Sequence, residues 1–149
     1  MSKLLILGAG GHGRAVSDVA SEAGWTVAGY TDATGTPRPG ILGSDADVER
    51  LARTGAIDAA IVGIGNSALP KRAELFQLLH DSGVAVPALV HPRAVVSRSC
   101  RVGAGSVVFA GCVLGAGVEI GVNGVCYAGV MRQRRTSRRA RCTPRGMTC

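Results

Sequence analysis

At 149 residues and 46% hydrophobic, the chain has room for one ordinary domain, or for a compact one followed by part of a second, and it is too apolar to be disordered. A formal charge of +7 spread over the fold would suggest a nucleic-acid or membrane partner. However, residues 1–131 hold ten Lys/Arg against ten Asp/Glu, while residues 132–149 hold seven arginines and no acid.

The basicity therefore belongs to the tail, and neither membrane insertion nor specific nucleic-acid binding is expected of the fold. No run of 18 apolar residues is present. The opening "MSKLLILGAGGHG" sets glycines where a signal peptide needs an unbroken apolar run, so a cytoplasmic location is expected. Cys100, Cys112, Cys126, Cys142 and Cys149 show no C-x-x-C or Cys/His spacing, which predicts reduced, structural thiols and no metal site.

In chain order, "KLLILG" reads as a buried parallel strand, and "HGRAVSDVASEAG" as a helix with Ala15, Val16, Val19, Ala20 and Ala23 on its apolar face. "WTVAGYTD" is a second strand ending at Asp32. "SDADVERLARTG" is a helix opened by a capping box, Ser44 to Asp47, with Val48, Leu51 and Ala52 inward and Gly55 at its stop. "IDAAIVGIG" is a third buried strand. "NSALPKRAELFQLLHDSG" is a helix with Leu69, Ala73, Phe76 and Leu79 as its stripe, Pro70 in its first turn and Gly83 past its end. This alternation, followed by "VAVPALV", predicts an α/β fold with a doubly wound parallel sheet over residues 1–90.

Ligands of such sheets lie beyond the carboxyl ends of the strands, and the unusual residues of this chain gather there. "GAGGHG" satisfies G-x-G-x-x-G with Gly8, Gly10 and Gly13, enclosing Gly11 and His12, and lets the backbone approach a diphosphate at a helix N-terminus. Asp32 is placed to accept from ribose hydroxyls, and "GIGN" brings Gly65 and Asn66 to the same edge. Alone, the pattern fits NAD, FAD, a nucleotide-sugar or a tight turn with no ligand. His12 is suited equally to donating to a phosphate or carbonyl and to local packing. Lys71 is suited to an anion or to solvent.

From Val96 the sequence repeats in sixes: "VSRSCR", "VGAGSV", "VFAGCV", "LGAGVE", "IGVNGV", "CYAGVM". The first position is apolar and the fifth small, a period that neither strand nor helix explains. One side of a triangular β-helix coil does explain it, with the first position inward and glycines 103, 115 and 121 at turns. A β-helix is therefore expected over residues 91–131. Its last inward positions, such as Leu114 and Ile120, are expected to lie exposed at the open end.

The order of "GAGGHG", "ILGSDAD", "AIVGIGN" and "LVHPRAVVS" leading into hexapeptide repeats resembles the sugar acetyltransferase family that contains the sialic acid O-acetyltransferases and the UDP-bacillosamine N-acetyltransferases. The resemblance covers about residues 3–125. It implies an acceptor, a UDP-sugar or sialic acid, on the first domain, a left-handed parallel β-helix, incomplete in this chain, with acetyl-CoA as co-substrate on it, and a homotrimer. By the same resemblance Gly10, Gly11 and His12 match the phosphate loop, Asp32 the acidic strand end, and Gly65 and Lys71 the third-strand turn and helix contact.

Two departures stand out. Ala33 stands where the family often has a second acid. Counting in sixes from Cys126, Arg132 takes the next inward position, the family's catalytic histidine falls on Arg134, and the following acid falls on Arg135. A guanidinium with a pKa above about 12 accepts no proton near neutrality. The loss of the beat suggests a truncation or a shifted reading frame after about residue 125, and residues 132–149 are expected to form a disordered basic tail. The sequence therefore predicts an acetyltransferase relative without its catalytic base. Two alternatives are a nucleotide-binding module without catalysis and a basic interaction protein.

Overall fold

The computed structural model describes residues 2–36 and 38–133. Four parallel strands make the first sheet: β1 (Lys3–Leu7), β2 (Thr26–Thr31), β3 (Ile41–Gly43) and β4 (Ala59–Val62), in the order β3-β2-β1-β4. β1 lies between β2 and β4 and has Leu4, Leu5, Ile6 and Leu7 wholly buried. Alternation sends Leu4 and Ile6 to one face and Leu5 and Leu7 to the other, each contributing about 1.5–3 kcal/mol. The short strand β3 was not among the predicted elements, because three residues are too few to show a period.

Helix α1 (Gly11–Glu22) covers the Leu4/Ile6 face, and α2 (Val48–Arg53) and α3 (Leu69–Ser82) cover the Leu5/Leu7 face. The sheet is thus doubly wound, as the sequence predicts. The capping box forms: the Ser44 amide and hydroxyl both donate to Asp47 Oδ2, at 2.8 and 3.0 Å, ahead of α2. Pro70 lies in the first turn of α3, and Gly83 ends it in the left-handed conformation at φ 70°.

Two predicted helix faces need correction. Ala23 is exposed at the end of α1, just before the chain leaves for β2. On α3, Leu69 and Ala73 are exposed and the buried residues are Arg72, Leu75 and Leu79. An arginine holds the place the apolar pattern gave to a neighbour, because this side of the helix faces backbone carbonyls.

The backbone of the "VAVPALV" segment pairs with the sheet at Ala85, in an isolated parallel bridge to Ala59. Its end, β5 (Leu89–Val90), pairs instead with β8 (Val107–Val108). Six further two-residue strands follow the beat: β6 (Val95–Val96), β7 (Arg101–Val102), β9 (Val113–Leu114), β10 (Glu119–Ile120), β11 (Val125–Cys126) and β12 (Met131–Arg132). They form three parallel sheets, β10-β7, β11-β8-β5 and β12-β9-β6, the sides of an incomplete left-handed β-helix. Strands stack at a step of 18 residues, from Leu89 to Val107 to Val125.

The first and fifth positions fill the lumen, where Val108, Cys112, Leu114, Val118, Ile120 and Cys126 form one cluster edged by Val96, Val102 and Val130. Leu114 and Ile120 are buried at 1% and 3% exposure, contrary to expectation. The coil carrying Arg132 pairs onto Leu114 and covers it. The left-handed turn residues are Gly105, Gly111, Gly117, Asn123 and Gly129, at the fourth position. Gly103 and Gly115 open the turns, their carbonyls accepting from the Ser106 and Val118 amides, and coil stacking adds a second need for glycine, since a Cβ on Gly103 would lie 2.5 Å from the Gly121 carbonyl carbon in the next coil.

One side of the β-helix docks on the α1 side of the sheet. Leu89 and Val107 occupy outward positions yet are fully buried, within the same core as Leu4, Ile6, Val16 and Ala20. No helix among the described residues is long and apolar enough to cross a membrane.

Candidate functional site

The carboxyl ends of β1 and β4 meet in two glycine-rich turns in direct contact. The roles of the glycines separate by what a side chain would strike. A Cβ on Gly13 would lie 2.1 Å from the Gly8 carbonyl oxygen, so Gly13 lets α1 start close against the turn. Gly8 adopts φ 115° and abuts Ile64 and Gly63, and its amide donates to Thr31 O at 3.2 Å. Gly10 and Gly11 have nothing within 4 Å of an added Cβ and form the open face of the loop.

Gly10 caps α1 with no side-chain hydrogen bond, and the first turn holds no acid. The first amides of a 12-residue helix therefore point outward with the positive end of its dipole, an arrangement suited to an anion.

His12 stands beneath this face. Its ring lies 5.9 Å from that of Phe109 and 6.0 Å from that of Tyr127, at 62° and 68°, and Phe109 and Tyr127 stack at 5.8 Å and 9°. The β-helix thus walls the loop with an aromatic pair one coil apart. A Cβ on Gly65 would lie 3.3 Å from His12 Cγ, which packs the second turn onto the imidazole. Burial, and secondarily the Arg72 charge, hold His12 below its ordinary pKa of 6.5, so the ring is neutral at pH 7. Its Nε2 is buried without a protein partner, as is Asn66 Nδ2.

Arg72 is fully buried and joins the loop to the β-helix. Its Nε donates to Asn123 O at 3.1 Å and one terminal nitrogen donates to Ile64 O at 2.5 Å, while Asn123 Nδ2 returns a bond to Arg72 O at 3.4 Å. Desolvation pulls the guanidinium down to about 10, against a raising effect from Tyr127, and it stays charged at neutrality.

Two predicted residues are engaged elsewhere. Asp32 Oδ1 accepts from the Thr34 amide and hydroxyl and the Gly35 amide, at 3.0, 2.9 and 2.7 Å, and Oδ2 is paired with Arg38. The Thr34 hydroxyl foremost, with the Gly35 amide and Arg38, holds this carboxyl below its ordinary pKa despite some desolvation. Lys71 Nζ pairs with Glu74 at 3.1 Å along the exposed side of α3.

The other histidines stand apart: His80 is exposed in the last turn of α3, and His91 Nδ1 accepts from the Arg93 amide at 3.0 Å. Arg132 pairs with Leu114 in the inward register. Arg134, Arg135 and the remaining tail lie outside the described residues.

Sequence reading found Gly8, Gly10, Gly11, His12, Gly13, Gly65 and Asn66, which the structure brings together. It missed Arg72, Phe109, Asn123 and Tyr127. The aromatic pair had a signal: both residues fall on the second position of a hexad, one full coil apart.

The family model described as the PglD N-terminal domain matches residues 3–78. The chain is similar to a point mutant of GDP-perosamine N-acetyltransferase from Caulobacter crescentus, solved with CoA and GDP-perosamine, at 31% identity and TM-score 0.79 over 88% of this chain and 62% of that one. It is also similar to the acetyltransferase domain of PglB from Neisseria gonorrhoeae, at 28% identity and TM-score 0.74 over 89% of this chain and 65% of that one. The same domain in complex with acetyl coenzyme A gives 28% identity and TM-score 0.73 over 88% and 64%. This chain spans less than two thirds of the length of each. No curated protein matches it in sequence.

Proposed function

The chain belongs to the family defined by the PglD N-terminal domain, and from that membership we propose that it binds a nucleotide-sugar as the acceptor-binding part of an acetyl-CoA-dependent sugar acetyltransferase. The observation that carries this reading is the joint between the glycine loop and the β-helix. The open Gly10–Gly11 face sits at the mouth of an uncapped helix and is walled by Phe109 and Tyr127. In this reading the loop amides and those of the Gly65 turn take the diphosphate, and Asn66 and His12 stand behind it.

Acetyl-CoA is the co-substrate of the intact reaction, in which a base removes a proton from the sugar amine or hydroxyl as it attacks the thioester and the CoA thiol departs. The histidines of this chain do not supply that base. His12 Nε2 is closed off, and His80 and His91 lie on other surfaces. The chain alone therefore binds acceptor without transferring acetyl. Assembly into a homotrimer is supported by the β12-β9-β6 side, where Val95 and Met131 are 65% and 69% exposed. A cytoplasmic setting follows from the substrates.

The joint between the glycine loop and the β-helix favours a nucleotide-sugar over NAD, whereas Asp32, with both carboxylate oxygens engaged, does not discriminate, since both ligands carry a ribose diol. Calorimetric titration with UDP- and GDP-sugars, sialic acid and NAD tests this. A nucleotide-sugar is expected to bind, and binding of NAD alone would sink the reading. In parallel, thiol release from acetyl-CoA should stay at background. Turnover by this chain would show that another group serves as base.

A further inference from the structure

Arg72 is the largest fully buried side chain described, and it makes no ion pair among the described residues. Its protein partners are two neutral carbonyls, Ile64 O and Asn123 O, and its second terminal nitrogen is buried without a protein partner. A guanidinium taken out of water is normally compensated by a carboxylate, since carbonyl dipoles return only part of its lost hydration. The arginine instead bonds to Ile64, the residue before Gly65 in the second glycine turn, and its charge is felt by His12; the buried His12 Nε2 and Asn66 Nδ2 also lack protein partners. The two glycine turns touch, so Arg72, bonded to Ile64 O, is joined through the second turn to the loop that opens α1.

We infer that Arg72 is the built-in counter-charge for a phosphate or diphosphate seated on the glycine loop, and that the same residue couples anion binding to seating of the β-helix. The inference deepens the nucleotide-sugar reading and rests on an anion occupying that loop. The exposed Lys71, already matched to Glu74, is not needed for it. A buried charge in a poorly screening interior acts on a nearby anion more strongly than a solvated lysine does. Because Arg72 also holds Asn123 O, an anion that fixes the guanidinium fixes the β-helix corner.

The test uses the whole chain and inorganic pyrophosphate as probe, with affinity read by calorimetry. Arg72→Gln should lower pyrophosphate affinity by about tenfold or more. Asn123→Asp supplies an internal carboxylate at the residue already bonded to Arg72, and Asp tolerates the left-handed backbone of this position, φ 55°. It should lower pyrophosphate affinity by a similar factor while leaving thermal stability equal or higher, so it decides the matter even where the glutamine variant fails to fold. Unchanged affinity in Asn123→Asp, or no pyrophosphate binding by the unaltered chain, would overturn the inference. If the unaltered chain binds pyrophosphate but no nucleotide-sugar, the functional reading fails and the counter-charge stands. If nucleotide-sugar and pyrophosphate bind equally to all three proteins, the reverse holds.

Discussion

Phe109 and Tyr127 stack one above the other on successive β-helix coils, 5.8 Å apart and 9° from parallel, and both meet the imidazole of His12 edge-on. A repeat of 18 residues places the two rings in register, and the docking of the β-helix on α1 brings them against His12 of the glycine loop. Offset stacks of this kind add about 0.5–1.5 kcal/mol beyond the area they bury.

Tyr127→Ala should therefore destabilise the fold by about 1–3 kcal/mol and open the imidazole to water. Since burial is the first cause of the lowered His12 pKa, the pKa should move up toward 6.5 in the variant. A histidine titration followed by NMR checks it. An unmoved His12 would mean that the aromatic wall does not set its environment.

The glycines of the loop should respond in opposite ways. Gly13→Ala drives a Cβ to 2.1 Å from the Gly8 carbonyl and should cost about 2–4 kcal/mol in chemical denaturation. At Gly11 an added Cβ meets nothing within 4 Å, so Gly11→Leu should leave the denaturation midpoint nearly unchanged and weaken nucleotide-sugar binding by blocking the open amides. Equal stability losses at the two positions would refute this division of roles.

Stability should fall as pH drops below about 6.5. The folded chain holds His12 below 6.5 and the unfolded chain does not, so the unfolded state binds more protons in that window. Above it both forms are neutral and the effect vanishes. Asp32 and Asp47, held below 3.8, act in the same direction but only in stronger acid. Urea midpoints across this range should show the slope, and His12→Gln should flatten it near pH 6. A variant as steep as the parent would exclude His12 as the source.

Leu114→Ala should cost about 2–5 kcal/mol, as expected for a cavity in a close-packed lumen. The residue is only 1% exposed beneath the coil of Arg132. Denaturation would show a near-neutral effect if that coil did not close over it.

The strands and helices of the first half were legible because burial on both faces leaves unbroken apolar runs, and because Ser44, Pro70 and Gly83 punctuate the helices by local chemistry. The β-helix was legible for a different reason: six residues per side is a period nothing else shares. What escaped reading depends on which surfaces meet. Arg72 has the composition of a solvated helix face, and only the carbonyls of Ile64 and Asn123 give it reason to be buried. Asp32 was rightly placed at a strand end, but its capture by Thr34, Gly35 and Arg38 is a property of the following turn. Gly103 and Gly115 do open turns, as the repeat suggests, but the left-handed residue of each turn is the fourth hexad position, which the repeat alone does not mark. Asn123, the one described non-glycine residue with positive φ, marks the fourth.

Leu89 and Val107 belong to the same interior as Leu4, Ile6, Val16 and Ala59, so the α/β half has no complete hydrophobic core of its own. Cutting the chain before Leu89 would leave the α1 side of the sheet uncovered beside β1 and β4, and an isolated β-helix would carry the matching apolar stripe into water. The two halves are therefore expected to melt together in one cooperative transition. In any fusion or domain-exchange experiment, the smallest transferable piece of this protein runs across the joint.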